Sequence, residues 1–397
     1  MSQKQFFVII VLAAIVCVIG VYMVNKDKEK SLSMERDLGA KIFKDLPIND
    51  VRGLKITSNG NKTVTARKTD GRWEVAELYS YPANFEKIAD FIRKLYELKI
   101  AQNVRVDDSG LAALGLLNTS LPGGGAEIEL AAADGKKILS FLVGKKRTKE
   151  NPMEDFNAPE GRYLLISEKP LKVVVVSDLF TEIDSNPKDW LDKSFISASN
   201  IKCANLARDG KQEWTVKRDK QADTMALQDI PEGREVDTAK LSRVTNCLSN
   251  LDFDTVVDPV LDIKDTGLDA PAVFTAETFN GLKYVLSSGK AKDSSKYVKV
   301  AVSFADYPLP DGPADEKPED KEKRVKSHDE GVQKLKNQAA DEQAKFAKWT
   351  YLVSNNRLDP MLFKKDELLK EVKKEEKKDD KKEIKTSGGG GDEVPQK

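Results

Sequence analysis

The chain has 397 residues, of which 40% are hydrophobic and 33% charged, and its 65 lysine and arginine residues balance 65 aspartate and glutamate residues. This length suits two ordinary domains, and the zero net charge argues against a general attraction to nucleic acid, which needs a clustered basic excess. One histidine and three cysteines are too few for the usual multi-histidine or cysteine-pair metal sites, and they nearly exclude a histidine-dependent catalytic triad.

The chain begins with an uncharged apolar segment, Phe6–Val24. In a helix that rises about 1.5 Å per residue, this segment spans roughly the 30 Å hydrocarbon core of a bilayer. We predict a transmembrane helix within residues 1–25 and a juxtamembrane linker over 26–48. Two alternatives remain open, a cleaved signal peptide, whose apolar region would be shorter, and lipidation at Cys17.

Two rules predict opposite orientations for the apolar segment. Lys4 precedes the segment, whereas Lys26, Lys28 and Lys30 follow it, diluted by two acidic residues. Positive charge alone favours a cytoplasmic body. A short lysine-bearing tail followed at once by a long apolar run is, however, the layout of an uncleaved signal anchor, so we predict a single-pass membrane protein with its body outside the cytoplasm.

The rest of the chain shows the same order of features twice, over residues 49–195 and 196–370. Each copy opens with strands that alternate apolar and polar residues, VRGLKIT from Val51 and IKCANLA from Ile201. Further matching segments are Thr63–Val75 with Glu213–Leu227, Ala126–Gly144 with Val273–Gly289, and Gly161–Ser167 with Lys348–Ser354.

Each copy also predicts a helix, over Ala83–Leu98 and over Val236–Leu251, because apolar residues recur there every three or four positions. Such a stripe packs against a sheet. Its members are Ile88, Ile92, Leu95 and Leu98 in the first copy, and Leu241, Val244, Leu248 and Leu251 in the second.

Turn residues separate these elements at matching places. Gly115 and Gly267 are predicted in left-handed turns. Asp134-Gly135 and Asn280-Gly281 predict hairpin turns, since these dipeptides are the strongest short hairpin signals.

The last element of each copy is predicted to be a helix. Leu171–Phe180 contains four consecutive valines and would suit a strand, but its apparent counterpart Leu358–Leu369 has Asp359 at an N-cap position and Pro360 after it. The fold class that results is α+β, an N-terminal transmembrane helix followed by two tandem α+β repeats with mainly antiparallel sheets.

Two segments do not repeat. The charged insert at 308–342 interrupts the second copy and is too rich in proline and charge to bury a core, so we predict that it is mobile and that its removal is nearly neutral for stability. The tail 371–397, with a charged run and then glycines, is predicted to be disordered.

The single apolar span, LPINDVRGLKI, KTDGRWEV, YPANFEKIADFIRKLYELKI and DGKKILSFLVGKK together resemble a bacterial group of membrane-anchored proteins, domain-of-unknown-function family 4340. The resemblance covers most of residues 1–195 and, more loosely, the second copy. It implies a tandem repeat and a gene often found beside gliding-motility-type ABC transporters. It supplies no catalytic residue. The charged insert departs from the family pattern.

A few residues are of types that often carry chemistry in proteins. Cys203 and Cys247 form the only cysteine pair suited to a disulfide, although two separate half-buried thiols are favoured. His328 is predicted as a solvated surface residue. Gly123–Gly125 lacks the lysine and helix of a phosphate loop, and the basic hexamer Gly144–Lys149 is predicted as an exposed loop that could touch lipid or an acidic partner.

The aspartates near glycines are predicted to serve turns and caps in preference to a metal or acid catalysis. These are Asp107, Asp108, Asp262, Asp265 and Asp269. The tryptophans Trp73, Trp190, Trp214 and Trp349 are predicted in the core, and Trp190, between the copies, is the candidate anchor for an interdomain or partner contact.

No catalytic, cofactor or metal residues are predicted. The function expected is that of a non-enzymatic, membrane-anchored extracytoplasmic accessory or scaffold protein, held in the lipid bilayer through residues 6–24 and partnering an ABC transporter or an envelope assembly. The alternatives are an extracytoplasmic solute or signal receptor that uses the cleft between the copies and, third, a carboxylate-based envelope hydrolase. No nucleic-acid partner is expected.

Overall fold

The structure is a computed structural model that describes residues 37–58, 62–121, 124–148, 159–184, 186–309, 311–313 and 315–371. The predicted membrane segment 6–24 lies outside these residues, as does the tail beyond residue 371. Within the described ranges, no helix is both long and apolar enough to cross a membrane.

The first sheet has nine strands, and its pairings are antiparallel. The strands are β1 (Gly53–Ser58), β2 (Lys62–Thr69), β3 (Arg72–Val75), β4 (Tyr81–Pro82), β5 (Gln102–Val104), β6 (Ala126–Ala131), β7 (Lys137–Thr148), β8 (Pro159–Glu168) and β9 (Leu171–Val176). Across the sheet they follow the order β4-β3-β2-β1-β6-β7-β8-β9-β5.

Helix α1 (Phe85–Glu97) buries one face in the core that also contains inner-face residues of this sheet. Asn84 caps it, because its side chain accepts a hydrogen bond from Lys87 N at 2.9 Å, a contact worth about 1 kcal/mol. The predicted stripe of α1 is buried, as expected. Packing begins before the predicted boundary at residue 49, since Phe43 and Leu46 already belong to the core.

The second sheet has eight strands, again antiparallel. They are β10 (Ile201–Arg208), β11 (Lys211–Lys217), β12 (Ala226–Leu227), β14 (Thr255–Val256), β15 (Ala272–Thr278), β16 (Leu282–Lys292), β17 (Ser295–Phe304) and β18 (Tyr351–Ser354). A separate two-stranded ribbon pairs β13 (Arg234–Val236) with β19 (Leu369–Glu371). The order in the large sheet is β12-β11-β10-β15-β16-β17-β18-β14.

The two large sheets therefore share one connectivity. When β10 is matched to β1, every strand of the second sheet has a counterpart in the same place, and the first sheet adds only the edge strand β4. This confirms the predicted α+β class with mainly antiparallel sheets and gives the chain a repeat-like organisation. We call the first sheet with α1 the first half, and the second sheet with its helices the second half.

The second half contains four described α-helices: α2 (Thr238–Thr245), α3 (Ile263–Thr266), α4 (Pro318–Phe346) and α5 (Asn355–Leu362). Helix α2 is shorter than the predicted range, yet the four residues of its predicted stripe are all buried. Short 3₁₀ helices occur at Ile48–Asp50, Ala76–Leu78, Asp108–Gly110, Thr181–Asp184, Pro187–Trp190 and Lys365–Leu368.

The prediction of a helix over Leu171–Phe180 is wrong. Its first six residues form β9, which pairs with β8 on one side and β5 on the other. A strand paired on both edges and buried on both faces favours β-branched residues, which explains the run of valines from Val173.

The prediction is wrong because the sequence comparison matches the last strand of the second copy with β8, one strand too early. The counterpart of β8, which contains Gly161–Ser167, is β17, and the counterpart of β9 is β18. Strand β17 was not predicted. In addition, Pro360 lies inside α5, which begins directly after Ser354, so Asp359 is not its N-cap.

The prediction that the insert at 308–342 is mobile is also wrong. Helix α4 begins within it at Pro318 and runs 29 residues to Phe346, packing along β17. Ala339 and Phe346 are buried, and Gln343 Oε1 accepts a hydrogen bond from Val302 N at 2.6 Å. Its high content of proline and charge predicted mobility. Its apolar residues, although sparse, nevertheless recur at helical spacing along one face, so α4 can bury them against the sheet.

One hydrophobic core runs through both halves. It includes buried residues from the inner faces of both sheets, from α1 and α2, and from the end of α4. The halves therefore share a continuous interior.

Candidate functional site

A cluster of aromatic side chains joins the two halves. Tyr81 of β4 comes from the first half, and its ring centroid lies 4.9 Å from that of Trp349 and 5.6 Å from that of Phe253. The connecting segment, residues 186–195, links the first half to the second, and the ring centroid of its Phe195 lies 4.7 Å from that of Tyr351. Such pairs add roughly 0.5–1.5 kcal/mol each to hydrophobic burial. We call the following residues the joint: Tyr81, Phe195, Phe253, Phe346, Trp349 and Tyr351.

Backbone hydrogen bonds fix the connecting segment to the first half. Asn84 N donates to Trp190 O, and Asp192 N donates to Pro82 O, both at 2.8 Å. The Trp190 side chain is fully buried and packs edge-on against Phe91 at 5.9 Å. Trp190 therefore anchors the segment internally and offers no surface to a partner.

A polar contact ties the insert helix α4 to the same segment. Lys345 Nζ lies 3.3 Å from Asp192 Oδ2 and donates to Ser194 O at 2.8 Å. Burial opposes ionisation of Asp192, but hydrogen bonds from Ser194 and the charge of Lys345 outweigh it and lower the pKa of this carboxyl. The end of α4 is thus held at the joint by both aromatic and charged contacts.

The cysteine and histidine side chains that the structure describes do not lie together in one site. Cys203, on β10, and Cys247, after α2, are free, partly buried thiols, and burial raises the pKa of each. His328 is not the solvated residue expected: it is partly buried on α4, and its ring centroid lies 5.0 Å from that of Tyr307. Among the described residues, no group of three or more histidine, cysteine, aspartate or glutamate side chains is placed to hold a metal.

Two of the five aspartates, Asp107 and Asp262, serve local structure as predicted. Asp107 accepts hydrogen bonds from Ser109 Oγ at 2.7 Å and from Gly110 N at 3.0 Å, and these bonds lower the pKa of its carboxyl. Asp262 caps α3 by accepting from Lys264 N at 2.9 Å. We find no convergence of these carboxylates in the part of the chain that the structure describes.

The basic hexamer Gly144–Lys149 is not a loop. Through Thr148 it continues β7, where Lys146 pairs with Arg162 of β8. Gly144 is required there, because a Cβ atom would lie 2.4 Å from Leu114 O. This close approach lets the loop that contains Leu114 pack on the outer face of the sheet.

An open depression of about 880 Å³ lies on the outer face of the first sheet. Its floor forms where Gly53 pairs with Ala131, two residues with little or no side chain. Two carboxylates also line it, of which Glu129 pairs with Lys137 Nζ at 2.8 Å. We call it the basic depression, after Lys55 and Arg67, the two cationic side chains that the strand register places on this face. Sequence reasoning missed it, because those residues meet only through strand pairing.

Comparison with known proteins places this architecture in a family. The family described as "Domain of unknown function (DUF4340)" has a model that matches residues 73–271, half of the chain. The chain belongs to this family. The DUF4340 match runs from β3 of the first half, through the connecting segment, to Pro271 just before β15. It therefore crosses the joint and describes parts of both halves together. No curated protein and no solved structure matches the chain.

Proposed function

We propose that this DUF4340 protein is a non-enzymatic accessory or scaffold protein of the bacterial inner membrane. Residues 6–24 anchor it in the bilayer, and its two tandem repeats stand outside the cytoplasm, where they bind an ABC transporter or another envelope assembly. The shared connectivity of the two large sheets supports an origin by duplication, after which the second repeat gained the insert helix α4.

The observation that carries this proposal is the joint. Tyr81 and Tyr351 have no exposed surface, and both belong to the one core that runs through the halves. A joint of this kind holds two sheets in a fixed relative position, as a platform for assembly requires. At the joint, aromatic side chains from the two halves are in direct contact.

The proposal is tested by purifying the tagged full-length chain from detergent-solubilised membranes and identifying what elutes with it. The control is a fusion of residues 1–36 to the same tag, which keeps the predicted anchor and lacks both halves. Enrichment of transporter or envelope subunits with the full chain and not with the control supports the scaffold function. Equal recovery of these subunits with the full chain and with the control would contradict the scaffold function.

A second candidate, an extracytoplasmic receptor for an anionic solute, is favoured by the basic depression. Lys55 and Arg67, beside a floor formed by Gly53 and Ala131, suit a phosphate or carboxylate group. Calorimetric titration of the full chain with inorganic phosphate tests it, with Arg67→Ala as the variant and Arg72→Ala, on β3 outside the depression, as its control. Saturable binding that only Arg67→Ala weakens would favour the receptor.

A further inference from the structure

The chain is already fixed to the first half well before β1. Ile100 N donates a hydrogen bond to Ala40 O at 3.0 Å. Ile42 N donates to Leu98 O at 2.9 Å. Residues 39–42, which we call the first lead-in, are therefore bound along the segment that joins α1 to β5, inside the range predicted as a juxtamembrane linker.

The second half begins in the same way, with a lead-in at residues 195–198. Leu251 N donates a hydrogen bond to Ile196 O at 3.0 Å. Leu251 is the counterpart of Leu98 in the helical stripes, and Leu98 bonds to Ile42. Ile196 and Ile42 therefore hold corresponding positions in the two lead-ins.

The position before this isoleucine differs between the halves. In the second half it holds Phe195, a member of the joint, whereas in the first half it holds Lys41. The Nζ atom of Lys41 lies 3.9 Å from the centre of the Tyr96 ring, near the C-terminal end of α1. A cationic side chain thus lies where the second half has an aromatic one.

Lys172 replaces a second aromatic side chain of the joint. Five residues after the last leucine of the helical stripe, a strand residue pairs with Val174 in the first half and with Tyr351 in the second. Val174 therefore corresponds to Tyr351, and two positions earlier Lys172 corresponds to Trp349. Lys172 Nζ lies 3.6 Å from Asp37 Oδ2, and both side chains are more than 40% exposed. Because an exposed ion pair is weak, Lys172 can exchange Asp37 for another anion.

The position of this surface in the chain indicates what covers it. In the second half the corresponding surface is covered by the preceding half, through Tyr81. In the first half, what precedes it is the predicted membrane anchor. Leu38, which is 51% exposed, lies 14 residues after Val24, the last residue of that anchor. A chain of this length spans at most roughly 50 Å in any conformation. We call Leu38, Lys41 and Lys172 the lysine face.

We propose that the lysine face lies on the bilayer surface, with its two lysines at anionic phospholipid headgroups and Leu38 at the interface. Attraction between lysine and an anionic membrane falls off within a Debye length, so it acts only on a surface held close to the bilayer. Asp37 and Asp45 offset part of the local charge, so the contact is weak by itself, and the anchor supplies a high effective concentration of lipid. This inference rests on the proposed membrane anchor.

The other end of the molecule provides a reference point. Arg234 of β13 corresponds to Tyr81 of β4, since each lies three residues before the N-cap residue of its helix. Whereas Tyr81 packs on the second half, Arg234 Nη2 lies 3.5 Å from Asp366 O of its own half. Strand β13 therefore faces away from the first half. Thr238, exposed at the start of α2 directly after this strand, should stay far from the bilayer.

Fluorescence quenching in lipid nanodiscs tests the inference on the full-length chain. Cys17, Cys203 and Cys247 are first replaced by alanine. A fluorophore is then attached at Leu38→Cys or, as the reference, at Thr238→Cys. The nanodiscs contain phosphatidylcholine, phosphatidylglycerol and a lipid whose headgroup carries a nitroxide, which quenches fluorophores close to the bilayer surface.

We expect strong quenching of the fluorophore at the Leu38→Cys position and only background quenching at the Thr238→Cys position. The double variant Lys41→Gln with Lys172→Gln should lower the strong quenching by at least about fivefold, because each lysine near an anionic membrane favours the bound state by about that factor. Nanodiscs without phosphatidylglycerol should have the same effect.

The matched control is Lys211→Gln with Lys220→Gln, which removes two exposed lysines of the second half and should leave the quenching unchanged. Thermal unfolding of each variant shows that the fold is retained. Equal quenching at the two labelled positions, in a chain that stays in the nanodisc, would overturn the inference and leave the anchor intact. So would quenching that persists without the two lysines or without the anionic lipid. A chain that does not elute with the nanodisc would contradict the anchor and, with it, this inference.

Discussion

The ring of Tyr81 packs edge-on against the ring of Trp349, with 4.9 Å between their centroids and 63° between their planes. Tyr81 lies on the edge strand that only the first sheet has, and Trp349 lies between α4 and β18 of the second half. The extra strand β4 therefore connects the halves, and the insert helix ends at the same place. Two of the features in which the halves differ thus meet at the joint.

We expect the free energy of unfolding to fall in alkaline solution, because Tyr81 and Tyr351 are buried with their hydroxyls protonated. Burial raises the pKa of the Tyr81 and Tyr351 hydroxyls above the value of about 10 for an unfolded tyrosine. The stabilisation is complete below about pH 10, and above it the unfolded chain loses a proton that the folded chain keeps, so the free energy of unfolding falls with a slope that approaches about 1.4 kcal/mol per pH unit for each such tyrosine. Urea unfolding at pH 9 and about pH 10.5 measures this fall.

Tyr81→Phe should make the fall shallower, since it removes one of these hydroxyls. The control is Tyr79→Phe, because Tyr79 is exposed and lies two residues away. An equal pH dependence in Tyr81→Phe and the parent chain would contradict the argument.

The insert helix should contribute to stability, contrary to the expectation from sequence. Ala339→Asp places a charge where α4 packs on the core, and we expect it to lower the free energy of unfolding by several kcal/mol. Ala340→Asp, on the exposed side of the same turn, should change it by less than about 0.5 kcal/mol. Urea unfolding of both variants decides the matter.

Replacing residues 308–342 by a short Gly-Ser loop extends this test. Loop closure alone predicts a nearly neutral change. Because the loop would remove most of α4, we expect a loss of more than about 2 kcal/mol. A neutral result would show that the helix adds nothing to the stability of the fold.

The continuous core predicts that the two halves unfold together. Leu248→Asp buries a charge at a fully buried position after α2, at a cost of several kcal/mol, which is a large part of the roughly 5–15 kcal/mol of a domain. We expect one transition, lowered as a whole, in thermal unfolding followed by circular dichroism. Ile92→Asp in α1 should act the same way, and Asn250→Asp, at an exposed site nearby, should be neutral. An independent second transition at the parent temperature would mean that the halves are separate.

Deleting residues 1–25 should give a soluble, folded protein, because we predict the membrane anchor there and the core lies in residues 43–369. Sedimentation of cell lysates without detergent, followed by thermal unfolding of the supernatant, checks both expectations. Recovery of the truncated chain in the membrane pellet would require a second point of membrane attachment.

Local signals in the sequence determined most of the elements. Alternating residues predicted β1 and β10, the Asn280-Gly281 turn predicted the β15–β16 hairpin, and the stripe around Ile92 predicted α1, all of which the structure confirms. These signals act between residues a few positions apart, so the sequence displays them directly. The shared order of features likewise indicated two similar sheets.

Only the tertiary structure decided the pairing, the joint and the candidate surfaces. The valines of β9 form a strand because β8 and β5 pair with it on both sides, and α4 is held by β17. Tyr81 meets Trp349, and Gly53 opens a depression among cationic side chains, through contacts between residues far apart in the chain. Composition and periodicity do not encode which distant segments meet, because that choice is set by the joint packing of the whole core.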